Sequence, residues 1–81
     1  MEKYTIGMLA KSKAGHDAGH VYVIYKVDEE NVYLIDGLLK TMDKPKKKRK
    51  KHIQIINKQY NISAADDVAV KRILKVYNKE A

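Results

Sequence analysis

The chain has 81 residues, 44% apolar and 33% charged, with seventeen basic side chains against ten acidic ones and no cysteine. A chain of this length makes one domain and buries only about 60–65% of the surface its unfolded form exposes, so neither a second core nor a deep catalytic cleft is expected. The lack of cysteine excludes disulfides, thiolate metal sites and a cysteine nucleophile, and an apolar run of at most five residues (Val21–Tyr25) is far too short for a membrane span.

In chain order, Thr5–Lys11 (Ile6, Met8, Leu9, Ala10) reads as a short strand. Ser12–His20 follows with glycines at 15 and 19, which marks a loop. Val21–Val27 is almost wholly β-branched or aromatic and predicts a strand. A period of two puts Val21, Val23, Tyr25 and Val27 on one face and Tyr22, Ile24 and Lys26 on the other. The polar turn Asp28–Asn31 joins it to Val32–Ile35, making a β-hairpin that Asp36-Gly37 closes. Residues 37–51 read as one long basic loop, and His52–Ile56 as a further strand. Val70, Ile73, Leu74 and Tyr77 then recur at helical spacing. Ser63 with Asp66 three residues on looks like a capping box, so a helix is expected over Ala64–Asn78. The fold expected is all-β, a small barrel or curved sheet over residues 1–61, with a C-terminal helix in 62–81 packed on or beside it.

The net charge of +7 is local. Lys44–Lys51 holds seven basic residues in eight positions, and the other 73 residues carry ten basic and ten acidic groups. A neutral body with a cationic arm points to a polyanionic partner, nucleic acid before membrane. Clustered cations repel one another, so phosphate neutralisation is preferred to a merely solvated tag. The same run has the composition of a nuclear-import signal. Met1–Gly7 has no apolar segment of the secretory kind, and a cytoplasmic, reducing location is expected.

Gly7-Met8-Leu9-Ala10-Lys11-Ser12-Lys13-Ala14-Gly15-His16-Asp17-Ala18-Gly19-His20-Val21-Tyr22-Val23-Ile24 resembles a KOW motif: a strand entered by glycine, a glycine-punctuated loop, then an apolar strand. Within that family, Ala14–Val27 with Asn31–Gly37 looks most like the archaeal and eukaryotic large-subunit ribosomal protein fourteen-e branch. An Ala-Gly-Lys turn there corresponds to Ala18-Gly19-His20 here, and a strand ending in Asp-Gly to Leu34-Ile35-Asp36-Gly37. The resemblance spans residues 5–56 and implies an SH3-like barrel of KOW type that binds RNA, commonly ribosomal RNA, without catalysis. His20 departs from the lysine of such turns and is mostly uncharged at neutral pH, which weakens its grip on phosphate.

The expected RNA-binding residues are therefore Lys11, Ser12, Lys13, Gly15, His16, Gly19 and His20 in the loop and Lys44, Lys46, Lys47, Lys48, Arg49, Lys50 and Lys51 in the arm. The glycine loop lets backbone N–H groups approach phosphate, and Gly15 or Gly19, or both, are expected either at positive φ or where the backbone passes close to a phosphate. If loop and arm emerge at the same end, they form one cationic surface. His16, Asp17 and His20 have the spacing of helical metal ligands, but the adjacent glycines oppose a helix, so no metal or cofactor is expected. Tyr22, Tyr25 and Tyr33 read as core or hairpin packing before base stacking. Asp36-Gly37 reads as a turn, and no nucleophile–base pair supports a hydrolase. A protein-interaction module of the transcription or translation machinery is the alternative to RNA binding; no small-molecule substrate is expected.

Overall fold

The computed structural model describes residues 4–80. Residues 1–3, which begin the expected barrel segment, and residue 81, which ends the helical one, lie outside the described residues. Strands β1 (Met8–Ser12), β2 (Val21–Val27), β3 (Asn31–Ile35), β4 (Lys46–Arg49) and β5 (Ile53–Gln59) form one antiparallel sheet in the order β4-β3-β2-β1-β5. A 3₁₀ turn at Lys50–His52 carries the chain from edge strand β4 to the opposite edge strand β5, and helix α1 (Asp67–Glu80) follows. The two edges do not pair with each other, so the sheet is not closed.

Each face of the sheet carries a buried apolar cluster. Ile56, Leu9, Val23 and Ile35 lie side by side across four strands, and Val70 and Leu74 of α1 pack on this row. Ile73 and Tyr77 flank them, so the helical face read from the sequence is the one that packs. Burying Val70 and Leu74 contributes about 1.5–3 kcal/mol each. The opposite face collects Ala10, Tyr22, Ile24, Val32, Leu34 and Ile53 into a second cluster drawn from β1, β2, β3 and β5. No α1 residue belongs to this cluster among the described residues; the three-residue turn joining the two edge strands draws the sheet's edges toward each other around it.

One irregularity alters the face assignment of β2. Ile24 pairs with Leu34 and Lys26 with Tyr33, which leaves Tyr25 as an extra residue in a β-bulge. A bulge inserts one residue and reverses the alternation beyond it. Val27 therefore joins Val32 on the inner cluster, and Lys26 turns to the helix face beside Tyr33. A strict period of two had assigned these two residues the other way round.

The basic run is not the loop that its composition suggested. Lys46–Arg49 pairs with β3 through Leu34↔Lys46, Val32↔Lys48, Tyr33↔Lys47 and Asn31↔Arg49. The outer edge of β3 needs backbone partners, and lysine is well suited to an edge strand because its charge discourages further pairing. Pro45 stands just ahead of the strand, where its missing N–H costs no ladder bond. Lys46 and Lys48 share the inner face with Leu34 and Val32, and their aliphatic stems cover apolar surface there. The first and fourth expected strands are displaced by a few residues, to Met8–Ser12 and Ile53–Gln59, as is usual for boundaries read from composition.

The helix starts at Asp67 rather than Ala64. Ser63 does not cap it: its N–H and hydroxyl both donate to Asn61 Oδ1. Asp66 is the cap, accepting the Ala69 N–H at Oδ1 (2.9 Å), and Asp67 Oδ1 accepts the Met42 N–H (2.9 Å), which ties the helix start to the β3–β4 connection. Gly37 permits this approach, because a Cβ there would lie 2.1 Å from the Asp67 carbonyl oxygen. Replacing Asp66 with Ala should cost about 1 kcal/mol in a denaturant titration and leave binding properties of the sheet unchanged; a loss below about 0.3 kcal/mol would mean that the helix is held by packing alone.

Candidate nucleic-acid interface

The β1–β2 loop is closed by its own backbone. Ser12 N–H donates to His20 O (3.0 Å), Gly19 N–H to Ser12 O (2.8 Å) and His20 N–H to Asp17 O (2.9 Å). Gly15 and Gly19 have φ of +87° and +90°, the first of the two roles expected of them, and no described non-glycine residue has a positive φ. The left-handed region is open to glycine and poorly tolerated by β-branched residues.

Asp17 is the hub of this loop. Its Oδ1 accepts from the Ser12 hydroxyl (2.9 Å) and Lys48 Nζ (2.7 Å); its Oδ2 accepts from the Tyr22 hydroxyl (2.9 Å) and lies 3.2 Å from Lys46 Nζ. Lys48 also donates to Ala14 O (2.8 Å), and its side chain is only 10% exposed. Burial alone would raise the Asp17 carboxyl, but the donors, Lys48 first, outweigh it and hold the group well below the usual carboxylate range. Burial, together with the charge of Asp17, pushes the Tyr22 phenol well above its usual range.

Loop and basic run therefore do meet, through a carboxylate that the charge arithmetic had treated as part of a neutral background. A second tie is made by backbone: Lys13 N–H donates to His52 O (2.8 Å), setting the start of the loop beside the 3₁₀ turn. The expected site residues fall into two groups. Ser12, Lys46 and Lys48 spend their polar atoms inside the fold. His20 lies 3.3 Å from Asp36 Oδ2 and against the Tyr22 ring, and Lys50 donates to Glu29 O and sits 5.3 Å from the centre of the Tyr4 ring. By contrast, Lys13, Gly15, His16 and Gly19 of the loop and Lys44, Lys47, Arg49 and Lys51 of the run are exposed. Lys11 is exposed too, but it stands between Val21 and Gln54 on the helix face of β1, away from the inner face that Lys46 and Lys48 share.

Strand alternation divides the run. Lys46 and Lys48 point inward to Asp17, and Lys47 and Arg49 point outward. None of Lys44, Lys47, Arg49 and Lys51 pairs with a carboxylate among the described residues. Asp36 has the turn role expected of it: Oδ1 accepts the N–H groups of Leu38 and Lys40, and these bonds, against the opposing effect of burial, hold its carboxyl below the usual range. The described residues contain no cluster of three potential metal ligands and no helix long and apolar enough to cross a membrane. By sequence pattern alone Asp17 has only the spacing of a metal ligand with His16 and His20. The signal that marks it is its isolation, since it is the sole acidic residue between Met8 and Val27 and is set among loop donors.

Family models give no match to this chain, and no curated protein sequence matches it.

The Asp17 contacts generate a pH test. Because the folded-state pKa is depressed, the stabilisation is complete above the unfolded carboxylate value of about 3.9 and is lost as pH falls below it. Asp17→Asn should cost about 2–3 kcal/mol near neutral pH, mostly by stranding Lys48, since Lys46 is a third exposed and weakly coupled. The gap between parent and variant, read by urea titration, should be constant above about pH 5 and shrink below about pH 4. A gap that does not vary with pH would show that the carboxylate charge is not what ties loop to strand.

Proposed function

We propose that this chain is an RNA-binding module of the KOW type, with the curled sheet serving as an SH3-like barrel, and that it binds structured ribosomal RNA or the ribosome in the cytoplasm. The sequence resemblance over residues 5–56 motivates the family. The fold supports it: a tight turn joins the two edge strands, and the sheet curls about an inner cluster, as a barrel requires. The observation that carries the reading is the set of four exposed cations on and around β4, Lys44, Lys47, Arg49 and Lys51, without acidic partners among the described residues, on a strand whose Lys46 and Lys48 tie it to the glycine loop. A neutral surface is not obtained by internal pairing, so an external polyanion is the natural counterpart. Lys13, exposed and tied by its backbone to the 3₁₀ turn that follows β4, adds a further cation beside the run.

The reading is one of binding without catalysis, and it needs no cofactor. The titratable groups that meet, Asp17 with Lys46 and Lys48 and Asp36 with His20, are spent on holding loops in place. Contacts from lysine and arginine to phosphate position an RNA without reading its bases, so affinity should exceed sequence preference. One feature favours a protein-interaction module as the second reading: Leu38 and Leu39 of the β3–β4 connection are 63% and 77% exposed. Nucleic acid that copurifies with the protein and leaves at high salt distinguishes the first reading from the second.

The division of the basic run separates binding from folding. Changing Lys44, Lys47, Arg49 and Lys51 to Gln should abolish most RNA affinity in a filter-binding assay and leave the melting temperature unchanged or slightly raised. Changing Lys46 and Lys48 to Gln should instead lower the melting temperature, because Asp17 loses its cations. If four phosphates are contacted, log K should fall with log salt at a slope of about −2.8 for single strands and about −3.6 for duplex. A slope near zero, or full affinity in the fourfold variant, would sink the reading.

A further inference from the structure

The outer face of the hairpin carries an aromatic side chain between two cations. Tyr33 on β3 pairs with Lys26 on β2 and with Lys47 on β4, so the three side chains stand in one row on the same face. Arg49 is on that face one pleat further along, opposite Asn31, about 7 Å from Lys47. Lys26, Lys47 and Arg49 are exposed and Tyr33 is half-buried. Beside the row lies a groove of about 550 Å³ lined by Tyr25, Tyr33, Met42 and Pro45, with Lys26 and Asp28 at its rim. Helix α1 covers the Leu9–Val23–Ile35 end of this face and leaves the hairpin end open.

The ring is held in place. The Tyr33 hydroxyl donates to Asp28 Oδ2 (2.9 Å), while Asp28 Oδ1 accepts the N–H groups of Glu30 and Asn31. Both carboxylate oxygens at the rim are thus engaged in hydrogen bonds from the hairpin itself. A ring fixed on a rigid strand keeps one face available at little cost in side-chain entropy. Cations on either side of the ring, with a groove of mixed polar and apolar lining beside it, are complementary to a nucleotide whose base is out of its stack: the base meets the ring and the phosphates meet the lysines and arginine.

We propose that this row is a stacking subsite for an unpaired nucleotide, formed by Tyr33 with Tyr25 lining the same groove and by Lys26, Lys47 and Arg49 on the flanking phosphates. The proposal rests on the RNA reading above and deepens it: the RNA bound here has an unpaired segment, a loop, bulge or end, in contact with the hairpin. A duplex keeps its bases stacked and buried and can use the cations but not the ring.

The test compares a short unpaired RNA oligomer of mixed sequence with a blunt duplex of the same strand, on the full chain at one salt concentration. Tyr33→Leu should weaken binding of the oligomer roughly 5- to 100-fold, the range of a lost base–aromatic stack, and leave duplex binding within about twofold. Tyr33→Phe keeps the ring and should bind both RNAs as the parent does. The Tyr33 ring proton resonances of the unmodified protein should move upfield when the oligomer is added and stay in place with the duplex; this reading holds even where a variant is poorly folded. Equal loss for both RNAs in a folded Tyr33→Leu variant, no loss for either, or unmoved ring resonances with the oligomer bound would overturn the subsite and leave the RNA reading intact. A parent protein that binds neither RNA would overturn both.

Discussion

A single carboxylate decides how this sheet is assembled. Among the described residues the inner apolar cluster has no helix over it, and the strand at one edge is made of four consecutive cations. Such a strand would be expelled from a small core unless its inward charges were met. Asp17 meets two of them, and it also holds Ser12 and Tyr22, so one side chain joins the ends of β1 and β2 to β4 across the mouth of the curled sheet. The arrangement is strong because it is multiple: four donors converge on two oxygens, and no buried side-chain polar atom among the described residues is left without a partner.

That contact also organises the surface. A run of like charges in a flexible loop would be a diffuse cationic cloud. Once Lys46 and Lys48 are drawn inward, the pleat fixes Lys47 and Arg49 outward at a defined spacing, and the 3₁₀ turn carries Lys51 round to the side where Lys13 is tied to His52. Neutralising part of the run is thus what gives the remainder a shape. Removing inward and outward lysines has different consequences for the same reason, although the sequence writes them as one repeat.

Much of the architecture was legible in the sequence. The hairpin Val21–Ile35, the left-handed glycines of the first loop, the Asp36 turn and the packed face of α1 follow from local rules of alternation, φ preference and helical period. What was not legible depends on contacts distant in the chain. β4 forms because β3 offers an unpaired edge, and Lys48 is accepted on the inner face because Asp17, thirty-one positions earlier, is there to receive it. Composition reports only that the segment is charged, and a charged segment is usually a solvated one. The helix start was misplaced for a similar reason: Ser63 fits a cap by type, but Asn61 takes both its N–H and its hydroxyl, and Asp66 does the capping.

The bulge at Tyr25 shows how far one residue can reach. Had β2 kept strict alternation, Lys26 would face the inner cluster with no carboxylate to meet it, and Val27 would lie exposed on the outer face. The extra residue reverses both: Val27 completes the inner cluster against Val32, and Lys26 comes out beside Tyr33. The core and the charged row beside Tyr33 are therefore consequences of the same irregularity. Closing the bulge with Tyr25 kept in the ladder would damage the two together, turning Lys26 inward and Val27 outward, whereas deleting Tyr25 would keep both faces and lose only its ring from the helix-side cluster. Sheet regularity is given up at one position, and in return an apolar interior and a cationic, aromatic exterior coexist on strands too short to supply them separately.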